Sequence, residues 1–168
     1  MNICRKAWRC HCKVSWRRNG SELNGRRRLA VDSVIIPTVG RPSLVRAVES
    51  VLAQDYSQEF EVIVVNDTGY PLKAADWQKS PHVRAITTFQ HERSVARNTG
   101  AAIAKGKYFH FLDDDDWLLP GALQSLRKLA DTSNGLWLCG GSQLVDRRGN
   151  KLIELHHDMM GNCALQVM

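Results

Sequence analysis

Four consecutive aspartates, Asp113-Asp114-Asp115-Asp116, follow directly on the apolar run Tyr108-Phe109-His110-Phe111-Leu112. Carboxylates crowded in this way repel one another and raise each other's pKa unless a cation or hydrogen-bond donors intervene. A hard divalent cation meets that need, because Mg2+ and Mn2+ prefer oxygen ligands. Magnesium takes one or two carboxylates and completes its shell with water and phosphate oxygens. The run therefore points to a metal that bridges the protein to a diphosphate. The alternative is a solvated acidic turn or an acid-rich helix start. It is weakened by the preceding residues, which carry the carboxylates out of a buried strand.

Two further polar clusters, Pro37-Thr38 and Asn66-Asp67, also stand at the ends of apolar runs. Val34-Ile35-Ile36 reads as a buried strand stopped by Pro37, and residues 61–65 as a second buried strand. Pro42 suits a first helical position, and Leu44, Val48, Val51 and Leu52 place a helix over residues 43–54. A polar loop with Pro71 and Pro81 holds a short turn near Trp77. Residues 83–87 form a third strand. Ser94 caps a helix over residues 95–105 that stops at Gly106. Residues 108–112 form the strand that leads into the aspartates. Pro120 opens a helix with Leu123, Leu126 and Leu129 or Ala130 facing inward. Residues 136–145 and 151–156 form a hairpin about Arg148-Gly149-Asn150. Strands that alternate with helices specify an α/β three-layer unit with a mostly parallel sheet. Ligands of such sheets sit beyond the carboxyl ends of the strands, where all three polar clusters fall.

The chain of 168 residues is long enough for one domain with a real core, and 43% hydrophobic residues is ordinary for a globular protein. Its net charge of +6 is unevenly distributed. Residues 1–28 carry nine Lys or Arg and one acid (+8), and the rest carries 14 basic and 16 acidic residues (−2). The basic character belongs to a leader, residues 1–29, which lacks sustained periodicity and reads as poorly ordered. Nucleic-acid or anionic-lipid contact by that leader is the competing reading. No stretch approaches the roughly 18 apolar residues of a spanning helix, and no apolar segment follows the basic N-terminus as in a secretory signal. A cytoplasmic location without disulfides among the five cysteines is the expectation. Cys4, Cys10, His11 and Cys12 cluster, but C-x-C is not the spacing of a zinc knuckle and no second ligand pair follows. Cys139, in an apolar run, reads as a small core residue.

Taken together, Ser33-Val34-Ile35-Ile36-Pro37-Thr38, Val62-Ile63-Val64-Val65-Asn66-Asp67, Ala96-Arg97-Asn98-Thr99-Gly100 and Phe111-Leu112-Asp113-Asp114-Asp115-Asp116 resemble family 2 glycosyltransferases in order and spacing. Gly106-Lys107-Tyr108 before the aspartates and Pro120 after them belong to the same pattern, which covers residues 31–154. The resemblance implies an inverting enzyme with a GT-A, Rossmann-like α/β/α fold. Residues 30–168 would be its nucleotide-sugar-binding domain. It would transfer a sugar from a UDP-, GDP- or dTDP-sugar to a hydroxyl of a glycan or lipid-linked acceptor, with Mg2+ or Mn2+ as cofactor. Peripheral association with the inner membrane is compatible with such acceptors. Specific nucleic-acid binding is not expected.

By the same resemblance, Pro37 and Thr38 line the nucleoside pocket, Asp67 contacts the base, and Arg41 belongs to the nucleotide-sugar site. Arg97 supports the donor site from its helix start. Asp113 approaches the ribose, Asp114 lies in the same nucleotide-sugar site, and Asp115 ligates the metal with Asp113 and Asp116 assisting. The general base and acceptor segments of the family lie far beyond the aspartates and are expected past Met168, so no catalytic residue is assigned. Glu154, His156, His157 and Asp158 read as groups of a solvated terminus. A truncated or vestigial donor-binding protein without turnover is the alternative function.

Departures from the family pattern are specific. Val39 and Gly40 stand where an aromatic residue and Asn are common, which removes a stacking surface for the base. Asn66 replaces a frequent aspartate, and His91-Glu92 stand where a glycine-containing turn is usual. Two other chemistries fit less well. A haloacid-dehalogenase-type phosphatase continues its D-x-D into Thr or Val, where this chain has Trp117. A nucleotidyltransferase carries a glycine-rich basic loop after the first strand, of which Pro37-Thr38-Val39-Gly40-Arg41 is a poor version.

Overall fold

The computed structural model describes residues 7–8, 31–132, 140–146 and 149–155. In chain order the elements are β1 (Ala7–Trp8), β2 (Asp32–Thr38), α1 (Leu44–Leu52), β3 (Phe60–Asn66), a 3-10 turn (Asp76–Lys79), β4 (Val83–Thr87), α2 (Arg93–Ile103), β5 (Tyr108–Phe111), α3 (Ala122–Thr132), β6 (Ser142–Val145) and β7 (Lys151–Leu155). Four of the strands form a wholly parallel sheet in the order β4-β3-β2-β5. The other three form an antiparallel sheet in the order β1-β6-β7.

The parallel strands are apolar on both faces because helices cover both. Val34, Ile36, Val62 and Val64 pack on one side against Leu44, Val48 and Val51 of α1 and Leu123 and Leu126 of α3. Ile35, Ile63 and Val65 face the other way, against Ala96 of α2. Gly100 lets α2 lie close on the sheet, since a Cβ there would stand 2.4 Å from Ile35 Cγ2. Burying each such Val, Leu or Ile contributes roughly 1.5–3 kcal/mol, so the strand runs anchor the fold.

The chain leaves β2 outward through β3 and β4, then returns across the other face by α2 to place β5 on the opposite side of β2. The carboxyl ends of β2 and β5 thus form the switch point at which sheets of this kind open a ligand crevice. Gly106, in the turn before β5, is required by space. A Cβ there would meet Ser33 Oγ at 2.5 Å and the Val31 carbonyl oxygen at 2.9 Å.

Several boundaries differ from those read in the sequence. β2 does not stop at Pro37 but runs to Thr38, with Pro37 in register with Val65. The β2–β5 ladder has already ended at Ile35–Phe111, with Leu112 N–H donating to the Ile35 carbonyl. The nitrogen of Pro37 faces that side, so no ladder bond is lost. Helix α2 begins two residues earlier than expected. Its cap is Glu92, which accepts from Ser94 N (3.0 Å) and Val95 N (2.7 Å), and not Ser94. These bonds hold the Glu92 carboxyl below its ordinary pKa. The helix ends at Ile103, three residues before Gly106.

Ala7–Trp8, within the segment read as a poorly ordered leader, pairs with Val145 and Leu144. The rest of that leader, its Cys4–Cys10–His11–Cys12 cluster, Cys139, His156, His157 and Asp158 lie outside the described residues. So do residues 133–139, the first part of the expected strand over 136–145. Among the described residues no helix is long and apolar enough to cross a membrane.

At the amino end of the parallel sheet, Asp32 is fully buried. It accepts from the Tyr56 hydroxyl and lies 3.5 Å from Arg127 Nη1 and 4.0 Å from His110 Nε2. Burial raises the pKa of Asp32. Burial, followed by the charge of Arg127, lowers that of His110 to about 4.

Candidate functional site

The loop after β5 carries the aspartate run on a turn closed by Asp116 N–H donating to the Asp113 carbonyl at 3.0 Å. That turn separates four identical side chains into different surroundings. Asp114 points inward and is 2% exposed. Its carboxylate accepts from Thr38 Oγ1 at 2.6 Å and from Arg41 Nη1 at 2.6 Å. Thr38 Oγ1 in turn accepts from Gly40 N–H at 2.9 Å, and Gly40 has the left-handed φ of 76° that this turn needs. Asp114, first among its causes, raises the pKa of Arg41 and keeps it charged. One aspartate therefore ties the end of β2 to the end of β5.

Asp113 receives Arg97 of α2 as an ion pair. Asp115 is largely exposed and lies 3.4 Å from Arg41 Nη1. Asp116 is buried. One carboxylate oxygen from each of Asp113, Asp115 and Asp116 falls within 4.8 Å of the others. Oxygens of an octahedral magnesium shell, at 2.0–2.1 Å from the ion, stand about 2.9 Å apart when adjacent and about 4.2 Å apart when opposite. The donor set is all oxygen, the ligand type that a hard divalent cation prefers, and its carboxylates would have to draw closer together to share one ion.

Asp67, just past β3, is 3% exposed. Its N–H donates to the Thr38 carbonyl (2.9 Å), and its Oδ1 accepts from Thr88 Oγ1 (2.6 Å) and His91 N–H (3.1 Å). His91 reaches this position with φ 49°, the positive value for which its place in the family pattern favours glycine. The side-chain turn before Gly69 belongs to Asn66, whose Oδ1 accepts from Thr68 N–H (3.2 Å) and Thr68 Oγ1 (2.8 Å). Asp67 is thereby left to face the crevice.

Past the aspartates, the loop is fastened to α1. Leu118 N–H donates to Ser50 Oγ (2.9 Å), Gln54 Nε2 donates to the Leu119 carbonyl (3.0 Å), and Arg46 stacks on Trp117 with its guanidinium carbon 3.3 Å from the ring centre. Polar groups near the end of a helix thus hold the far side of the aspartate turn.

These elements enclose an open cleft of about 390 Å³ lined by Pro37, Thr38, Arg41, Asp67, Asp113, Asp114 and Asp115, with Val39, His91, Arg93 and Ala96. Seven of the sequence-predicted positions meet there. Arg97 and Asp116 stand outside the lining, and both act on it through Asp113. His91 and Arg93 were not singled out as site residues from sequence. The signal for Arg93 was present in its spacing, one helical turn before Arg97 on the same face of α2.

The family model for glycosyl transferase family 2 matches residues 33–158. The uncharacterized glycosyltransferase YibD of Escherichia coli (strain K12) is 35% identical over 103 residues, which is 58% of this chain and 30% of that protein. The GalNAc(5)-diNAcBac-PP-undecaprenol beta-1,3-glucosyltransferase of Campylobacter jejuni is 32% identical over 125 residues, 70% of this chain and 40% of that protein. The crystal structure of Staphylococcus aureus TarS 1-349 superposes with a TM-score of 0.51 at 23% identity, covering 60% of this chain and 32% of that one, a likeness of fold. The chain spans well under half the length of these relatives.

Proposed function

The chain belongs to glycosyl transferase family 2, and from that membership we propose that it binds a nucleotide-diphospho-sugar in the cleft at the switch point and serves metal-dependent, inverting transfer of the sugar to an acceptor hydroxyl. The observation that carries the reading is the division of the aspartate run. Asp114 locks the loop to Thr38 and Arg41, while Asp113, Asp115 and Asp116 bring their oxygens within 4.8 Å of one another at the cleft.

In this reading Pro37 and Thr38 wall the nucleoside pocket. Asp67, with Oδ1 held by Thr88 and His91, offers its other oxygen to the base. Asp113, oriented by Arg97, approaches the ribose. Asp113, Asp115 and Asp116 would hold Mg2+ or Mn2+. When bound, that ion acts as a Lewis acid on the departing diphosphate. Transfer forms a bond from the acceptor oxygen to the anomeric carbon and breaks the bond to the diphosphate. The diphosphate keeps the electron pair, and the acceptor proton passes to a base not assigned to any residue here. Preorganised Arg41 adds positive charge near the site of that developing negative charge.

A glycan or lipid-linked acceptor is supported by the Campylobacter relative, whose name specifies an undecaprenol-diphosphate-linked substrate. Peripheral association with a membrane is compatible with such an acceptor.

Calorimetric titration of the purified chain with UDP, GDP and dTDP, in Mn2+ and then in EDTA, tests the site. Metal-dependent binding of one nucleotide supports it and names the nucleotide, and no binding by folded protein refutes it. Sugar release from that donor then separates transfer from binding alone.

A further inference from the structure

Charge around the cleft is unevenly matched. Four carboxylates line it, from Asp67, Asp113, Asp114 and Asp115, against two guanidinium groups, from Arg41 and Arg93. Arg41 is already engaged, at 2.6 Å from Asp114 and 3.4 Å from Asp115. Arg97 approaches from outside the lining and is engaged with Asp113. Arg93 is different: among the described residues it makes no ion pair, hydrogen bond or ring contact.

The neighbouring helix end cannot substitute for it. The first free N–H groups of α2 are a natural anion site in many folds. Here two of them, at Ser94 and Val95, are already taken by the carboxylate of Glu92. An anion entering this cleft therefore meets a capped helix end, two arginines held by aspartates, and one exposed arginine on the wall.

We propose that Arg93 is a donor-binding residue that takes a phosphate oxygen of the nucleotide diphosphate, sharing its charge with the cation on the aspartates. This rests on the nucleotide-sugar reading of the same cleft. A guanidinium has only donors and a fixed charge, so its strongest partner on a nucleotide-sugar is the diphosphate and not the neutral base or sugar. Arg93 precedes Arg97 by one turn of α2, and Arg97 meets Asp113. The free guanidinium is thus carried on the helix face that already supports the aspartates. It also lies two residues after His91, whose N–H binds Asp67. Arg93 accordingly lines the same cleft as the proposed base contact and the proposed metal ligands, which a bound diphosphate would join.

The experiment compares wild-type protein with Arg93→Gln and Arg93→Lys, using whichever of UDP, GDP or dTDP binds in saturating Mn2+, together with the matching nucleoside. Loss of one charge-assisted contact is expected to weaken diphosphate binding by about ten- to a hundred-fold in Arg93→Gln. Nucleoside binding is expected to stay within about two-fold, and Arg93→Lys to recover part of the loss. Equal losses for nucleoside and diphosphate would overturn the phosphate assignment in favour of a base or structural role. Diphosphate affinity unchanged in folded Arg93→Gln would overturn the proposal while leaving the donor site intact. Failure of folded wild-type protein to bind any nucleotide would overturn the nucleotide-sugar reading and this proposal with it.

Discussion

The hydroxyl of Thr38, the last residue of β2, donates to the carboxylate of Asp114 at 2.6 Å across 76 positions of sequence, and both groups are buried. This contact joins the two strand ends between which the cleft opens. Removing the hydroxyl leaves one oxygen of a buried carboxylate without that donor. Thr38→Val is therefore expected to destabilise the protein by about 1–3 kcal/mol, with Thr38→Ser near neutral. Urea denaturation of the two variants checks this. A Thr38→Val protein as stable as the wild type would show that Arg41 alone satisfies Asp114.

Asp115 is the exposed member of the oxygen cluster, so its replacement should separate function from fold. Asp115→Ala is expected to abolish metal-dependent nucleotide binding and to change stability by no more than about 0.5 kcal/mol, as for surface substitutions in general. Titration of the nucleotide with Mn2+ and with EDTA decides the matter. A variant that keeps the metal response would remove Asp115 from the metal site.

His110 makes stability depend on pH at the opposite end of the sheet. Its folded-state pKa of about 4 lies below an ordinary value of 6.5, so the unfolded chain takes up the proton first. Its penalty is absent above pH 6.5, grows as pH falls from 6.5 to 4, and levels off below 4 at about 3 kcal/mol. The facing groups are Asp32, at 4.0 Å, and Arg127. Asp32, whose pKa is raised by burial, contributes in the opposite sense, because its protonation at low pH favours the folded state. His110→Gln removes only the histidine contribution. The stability of the wild type relative to His110→Gln should fall by about 3 kcal/mol as pH falls from 7 to 4, and a difference that stays constant would count against a neutral buried imidazole.

Much of the fold was legible because the relevant signals are local. Continuous runs such as Val62-Ile63-Val64-Val65 fit strands buried on both faces, and their alternation with helical patterns specifies the parallel three-layer class. The misread details arose where a partner distant in sequence decides. Pro37 continues β2 because β5 ends before reaching it, and Ser94 yields the cap of α2 to Glu92 because the longer carboxylate reaches two N–H groups at once.

The aspartate run marks the division most clearly. Residue types and spacing alone determined that several carboxylates emerge from a buried strand beside two other polar strand ends, and that such a cluster needs cations or hydrogen-bond donors. Four identical side chains in a row carry no local signal of which one turns inward. That choice belongs to the tertiary structure, because only folding brings Thr38 and Arg41 to Asp114, Arg97 to Asp113, and leaves Arg93 on the cleft wall. A buried carboxylate is tolerated only where donors already wait for it.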